Sequence, residues 1–62
     1  MTAAEQIAAH PGRYTMDERA QAFTWAYRKQ NDRSVSQSFR DRAKKVRVTL
    51  WNYAGRTTQI GA

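Results

Sequence analysis

The sequence predicts a small, mainly α domain of three helices closed by a C-terminal β-hairpin. Three observations carry this reading. Three helix-start motifs punctuate the chain, apolar residues follow each at helical spacing, and after Lys45 the pattern changes to strict alternation. The 62 residues allow one domain, spanning 1–62, whose core supplies only roughly 3–5 kcal/mol.

The start motifs are Thr2-x-x-Glu5, Thr15-x-x-Glu18 and Ser34-x-x-Gln37. Each places a hydroxyl where it can accept from the N–H three residues on. Each also places a carboxylate or amide where it can reach back to the cap N–H. The first helix is predicted over 3–9, with Ala4, Ile7 and Ala8 inward, and Pro11-Gly12 ends it. The second is predicted over 16–29. There Met16, Ala20, Phe23 and Tyr27 recur at spacings of four, three and four and are expected to face the core. Asp17 and Glu18 in its first turn and Arg28 and Lys29 in its last suit the helix dipole. Asn31-Asp32-Arg33 reads as a polar turn. The third helix is predicted over 35–45, with Val35, Phe39 and Ala43 on its inner face.

Two readings compete beyond Lys45. Val46, Val48 and Leu50 alternate with Arg47, Thr49 and Trp51, as in a half-buried strand, and a hairpin over 46–60 would turn at Ala54-Gly55-Arg56. Val46, Leu50 and Tyr53 also continue the stripe of Val35 and Phe39, which would give a three-helix bundle with a long basic third helix capped by Gly55. The many β-branched and aromatic residues tilt the choice to the hairpin. Gly61-Ala62 is expected to fray.

Charge is unevenly spread. Residues 1–27 carry two basic against three acidic side chains, and residues 28–62 carry nine against two. This asymmetry predicts an anionic partner for the second half. The chain has no cysteine and a single histidine, so neither disulfides nor a metal centre is expected. It has no phosphate-binding glycine loop, and its five acids are dispersed, so no catalytic residue, cofactor or enzyme activity is expected. His10 reads as a helix-end residue rather than a base. A cytoplasmic location is expected, without membrane contact, because no basic-then-apolar start or long apolar run is present.

The segment from Ala4 to Thr15, with Arg47-Val48-Thr49-Leu50, Gly55-Arg56 and Thr57-Thr58-Gln59-Ile60, resembles the first helix, short strand, second-helix cap and wing of the winged helix-turn-helix family. One departure is the stretch from Ala20 to Val35, which is longer than that family's usual spacing. The resemblance implies a sequence-specific binder of double-stranded DNA, such as a bacterial or phage transcriptional regulator, with a homodimer as a candidate assembly. Its third helix would lie in the major groove, with Ser34, Ser36, Gln37 and Arg40 at base edges. Arg33, Lys44, Lys45, Arg47 and Arg56 would bind phosphates or the minor groove. The blander reading of these cations is a solvated surface.

Trp25 falls nearly opposite Met16, Phe23 and Tyr27 on an ideal helix, which marks it as a candidate protein interface. It supports an alternative function. In that reading the chain is a phage-type interaction factor inhibiting a host polymerase or nuclease, with Trp25, Trp51 and the basic face docking an acidic protein surface.

Overall fold

A computed structural model describes residues 1–60, with side chains described for residues 1–55. Three α-helices follow in order: α1 (Ala3–Ala9), α2 (Met16–Gln30) and α3 (Gln37–Ile60), with a 3-10 turn over Pro11–Arg13 after α1.

Both threonine boxes form as reciprocal pairs. The Glu5 N–H donates to Thr2 Oγ1 at 3.2 Å while the Thr2 N–H donates to Glu5 Oε1 at 2.9 Å. Thr15 and Glu18 repeat the arrangement at 3.1 and 2.8 Å. Each box satisfies two backbone donors that a helix start leaves open. Pro11 cannot continue α1 and starts the 3-10 turn instead. The short strand expected around Arg13 and Tyr14 is therefore absent. Arg19 holds this corner, donating from Nη1 to the carbonyls of Pro11 at 3.0 Å and Tyr14 at 2.5 Å. Its guanidinium lies 5.0 Å from the centre of the Tyr53 ring, which ties the corner to α3.

The third start differs in register. Ser34 does not cap α3, because Asp32 Oδ1 accepts from both its N–H, at 2.9 Å, and its hydroxyl, at 2.6 Å. That local turn competes successfully with helix. Ser36 takes the cap instead, and its Oγ accepts from the Phe39 N–H at 3.2 Å.

The hairpin and its wing are not formed. Residues 46–60 continue α3 as one helix, and no strand occurs among the described residues. The reason is tertiary. Helical continuation puts Val46 and Leu50 on the buried face with Ala43, at 1–4 % exposure. A two-stranded hairpin would bury neither as fully. The long-third-helix alternative is the correct architecture, and the expected fold of three helices with a C-terminal hairpin is corrected accordingly. Gly55 lies inside the helix with no positive φ, so it is neither a turn nor a left-handed cap. Gly61 and Ala62, expected to fray, lie outside the described residues.

The core is assembled around small side chains. Ala4, Ala22, Ala26, Val46 and Leu50 form its centre, with Ile7, Ala8, Phe23 and Trp25 packed against it. Ala26 is fully buried. Alanines at 22, 26 and 43 leave room for α2 and α3 to approach closely, since helix separation follows the size of the contacting side chains. The inner face of α2 is thus the alanine face. The expected inward stripe is turned outward: Met16 and Tyr27 are exposed and Phe23 is half-buried.

Candidate functional site

α1 packs against one side of the α2–α3 pair. It contributes Ala4, Ile7 and Ala8 to the core and Glu5 to Arg42 of α3. The other side has no covering element among the described residues. Two stripes line it. On α2 these are Met16, Ala20, Phe23 and Tyr27. On α3 they are Arg40, Lys44, Arg47 and Trp51, at the same spacings of four, three and four.

Contacts across the pair fix the register of the stripes. The Trp51 ring lies 6.1 Å from Phe23, tilted by 33°. Four residues back, Arg47 Nε donates to Gln30 Oε1 at 2.6 Å. Arg40 Nη1 donates to the Val35 carbonyl at 3.2 Å, where the connecting turn meets α3. The result is a groove with an apolar end at Met16, Phe23 and Trp51 and a cationic end at Arg47 and Lys44.

The apolar end is a cleft of about 420 Å³ walled by both helices, with Leu50 at its floor. Met16 is 75 % exposed and Trp51 66 % exposed. With the half-buried Phe23 they form one apolar group lining the same cleft rather than scattered single residues. A larger dent of about 660 Å³ sits on residues 20–32 alone, so no second helix walls it. Among the described residues Arg19 is the one charged residue lining this cleft, and it is committed to the Pro11 and Tyr14 carbonyls.

The basic residues do not form one face. Arg40, Lys44 and Arg47 lie toward the groove. Arg42 and Lys45 line a separate hollow against α1, with Glu5 and Thr49. Arg42 grips Glu5 with two bonds, Nη2 to Oε1 at 2.6 Å and Nε to Oε2 at 3.0 Å. These bonds, with the Thr2 N–H, hold the Glu5 pKa down at about 2. The same pairing raises that of Arg42.

The residues expected to reach base edges each have a local hydrogen-bond partner. Ser34 is held by Asp32, and Ser36 caps α3. Gln37 accepts from Arg40 Nη2 at 2.7 Å and donates to Asp41 at 2.9 Å. Arg33, Lys44 and Lys45 are exposed. The side chain of Arg56 lies outside the described residues. His10 ends α1 at an exposed position, and no group of acids and histidines among the described residues could hold a metal. No helix among them is long and apolar enough to cross a membrane.

Trp25 is turned partly inward and does not stand out from the outer face of α2. It is half-buried against the core, and its ring meets Phe39 edge-on at 5.8 Å and 70°. The exposed tryptophan is Trp51. The sequence signal for the groove is the coexistence on α2 of two candidate inner faces, Met16-Phe23-Tyr27 and Ala22-Ala26, only one of which can be buried. Comparison with protein-family models, with curated proteins and with solved structures found no match to this chain.

Proposed function

We propose that this chain is a non-catalytic protein-interaction module that docks an acidic protein surface through the α2–α3 groove. The observation that carries the reading is the exposure of Met16 on α2 and Trp51 on α3, which line one cleft walled by the two helices. Aromatic and methionine side chains are the types enriched at the centres of protein interfaces, with arginine. The surplus of basic over acidic residues, a net +6, gives the surface its preference for an anionic partner. Duplex DNA on the outer face of α3 is the second reading, favoured by the exposure of Lys44 and Lys45.

Selection from a random peptide display library on the immobilised protein separates the two. The docking reading expects one enriched peptide class whose binding is lost in Trp51→Ala. Anisotropy titrations against mixed duplex DNA at several salt concentrations give the other arm. Tight, sequence-preferring duplex binding, unaffected by Trp51→Ala and lost in Lys44→Ala/Lys45→Ala, replaces docking with DNA recognition.

A further inference from the structure

Resting on the docking reading, we infer that the groove's occupant is an acidic amphipathic helix, laid along α2 and α3 on the side opposite α1. The molecule already contains a helix bound in this manner. α1 inserts Ala4, Ile7 and Ala8 against the alanine face of α2 and the inner face of α3. It then places one carboxylate, Glu5, on a basic residue of α3, Arg42, at 2.6 Å. The open side repeats the same combination without the helix: an apolar cleft at Met16, Phe23 and Trp51, and basic residues of α3 beside it. Arg42 has its carboxylate, whereas Lys44 and Arg47 have no ion pair among the described residues.

Shape supports a helix rather than a strand. The groove runs between two antiparallel helices, and its walls are helical stripes of equal spacing. A third helix packs into such a groove by the ridge-and-groove rules that place α1. An extended chain would gain no backbone partners, because both walls have spent their hydrogen bonds within their own helices.

Charge sets the sign of the partner. No acidic side chain among the described residues lines the cleft. A second copy of this chain would bring its own surplus of +6 against the same face, which disfavours self-pairing. Register then follows from the helix rise. Arg47 and Lys44 lie four and seven residues from Trp51, about 6 and 10 Å along the axis at 1.5 Å per residue. The partner helix carries an aromatic or leucine anchor at the Trp51 end and carboxylates about four and seven residues from it, on the same face.

The test uses synthetic helical peptides of about 18 residues, long enough to span the groove. The first has a leucine and phenylalanine stripe and glutamates four and seven residues from the anchor. Further peptides move the glutamates to the opposite face, replace them with lysine, or break the helix with proline. A single-stranded oligonucleotide is the nucleic-acid control. Binding is read by amide shifts in two-dimensional NMR of the full chain and by tryptophan fluorescence.

The expected result is binding of the first peptide, with shifts confined to α2 and the α2 side of α3. Affinity falls at least tenfold with the relocated glutamates, with proline, in Trp51→Ala and in Lys44→Glu. The lysine peptide, inert toward the native chain, binds Lys44→Glu better than the glutamate peptide does. Equal binding of the relocated peptide, or no response to Lys44→Glu, overturns the acidic-helix assignment. Preferential binding of the oligonucleotide overturns it in favour of a nucleic acid. The display selection distinguishes the two levels. Neutral or extended peptides that still need Trp51 leave docking standing and overturn the helix. No Trp51-dependent peptide overturns both.

Discussion

On one side of the α2–α3 pair, Ala4, Ile7 and Ala8 cover the core and Glu5 meets Arg42. On the other, Phe23 meets Trp51, Met16 lines the same open cleft, and Lys44 and Arg47 have no ion pair among the described residues. The same two helices make both surfaces. What differs is residue size. The covered side uses alanines, which let a short helix sit close and bury the little apolar area a 62-residue chain can spare. Met16, Phe23, Tyr27 and Trp51 are left on the uncovered side, while Trp25 packs beside α1. A domain so limited in core material would ordinarily bury both its tryptophans, yet Trp51 is left at an edge while Trp25 packs against the core.

Neighbouring residues give the sharpest way to break this comparison. Leu50 is 4 % exposed, while Trp51 is 66 % exposed. Leu50→Ala is expected to cost about 2–5 kcal/mol, comparable to the whole stability of the domain, so it melts or fails to fold. Trp51→Ala is expected to change stability by less than about 1 kcal/mol. Urea titrations followed by circular dichroism measure both. Equal losses would mean that the groove is part of the core. Phe39→Ala lies between them. Phe39 is half-buried against Trp25, so the variant is expected to lose about 1.5–3 kcal/mol, less than a fully buried phenylalanine. A loss as large as that of Leu50→Ala would place the Trp25–Phe39 pair at the centre of the fold.

Much of this architecture is legible in the sequence where the determinants are local. The Thr2 and Thr15 boxes act over three residues, and both helices begin where those boxes place them. The Ser34 box fails because Asp32, two residues earlier, offers the same serine a competing turn, and spacing alone does not rank the two. Residues 46–53 are misread as strand because β preference measures fit to a pleated, half-buried surface. Here that preference is overridden by burial of Val46 and Leu50 against the alanines of α2. The rotated face of α2 has the same origin. Ranking by side-chain size selects Met16, Phe23 and Tyr27, whereas the core selects Ala22 and Ala26 because close approach is worth more than bulk at a helix crossing. Trp25 is misplaced as a direct consequence. The basic residues of α3 are legible as a cluster, but their division between two sides depends on where α1 packs, which no local pattern contains.

The ion pair on the covered side gives a pH test. Glu5 has its pKa lowered to about 2 by the bonds from Arg42 and the Thr2 N–H, against 4.5 for the free side chain. A carboxyl depressed on folding contributes stability that is fully present above its unfolded value. That stability is lost as pH falls through the folded value. The melting temperature is therefore expected to drop between pH 4.5 and about 2. Asp32, lowered chiefly by the Ser34 bonds, acts in the same direction. Melts of Arg42→Ala over this range should show a shallower acid limb and a lower plateau near neutrality. An unchanged limb would mean that α1 is held by its apolar contacts alone, and the parallel between Glu5–Arg42 and the open side would lose its basis.

The smallest effect concerns the residue on which the two readings of the C-terminal third part company. In a hairpin, Gly55 sits in the turn and favours a backbone that alanine resists. Within α3 it has ordinary helical geometry, and a methyl group added there meets nothing within 4 Å. Glycine in a helix interior is less favourable than alanine by about 0.5–1 kcal/mol, because it loses more backbone freedom on folding. Gly55→Ala is therefore expected to stabilise the domain by up to that amount. The gain shrinks toward zero if the last turns of α3 add little to global unfolding. Because position 55 lies beyond Trp51, the substitution should leave the groove's peptide affinity unchanged. A loss of stability would instead mean that residue 55 needs a conformation alanine cannot take, and the continuous third helix that builds one wall of the groove would end before it.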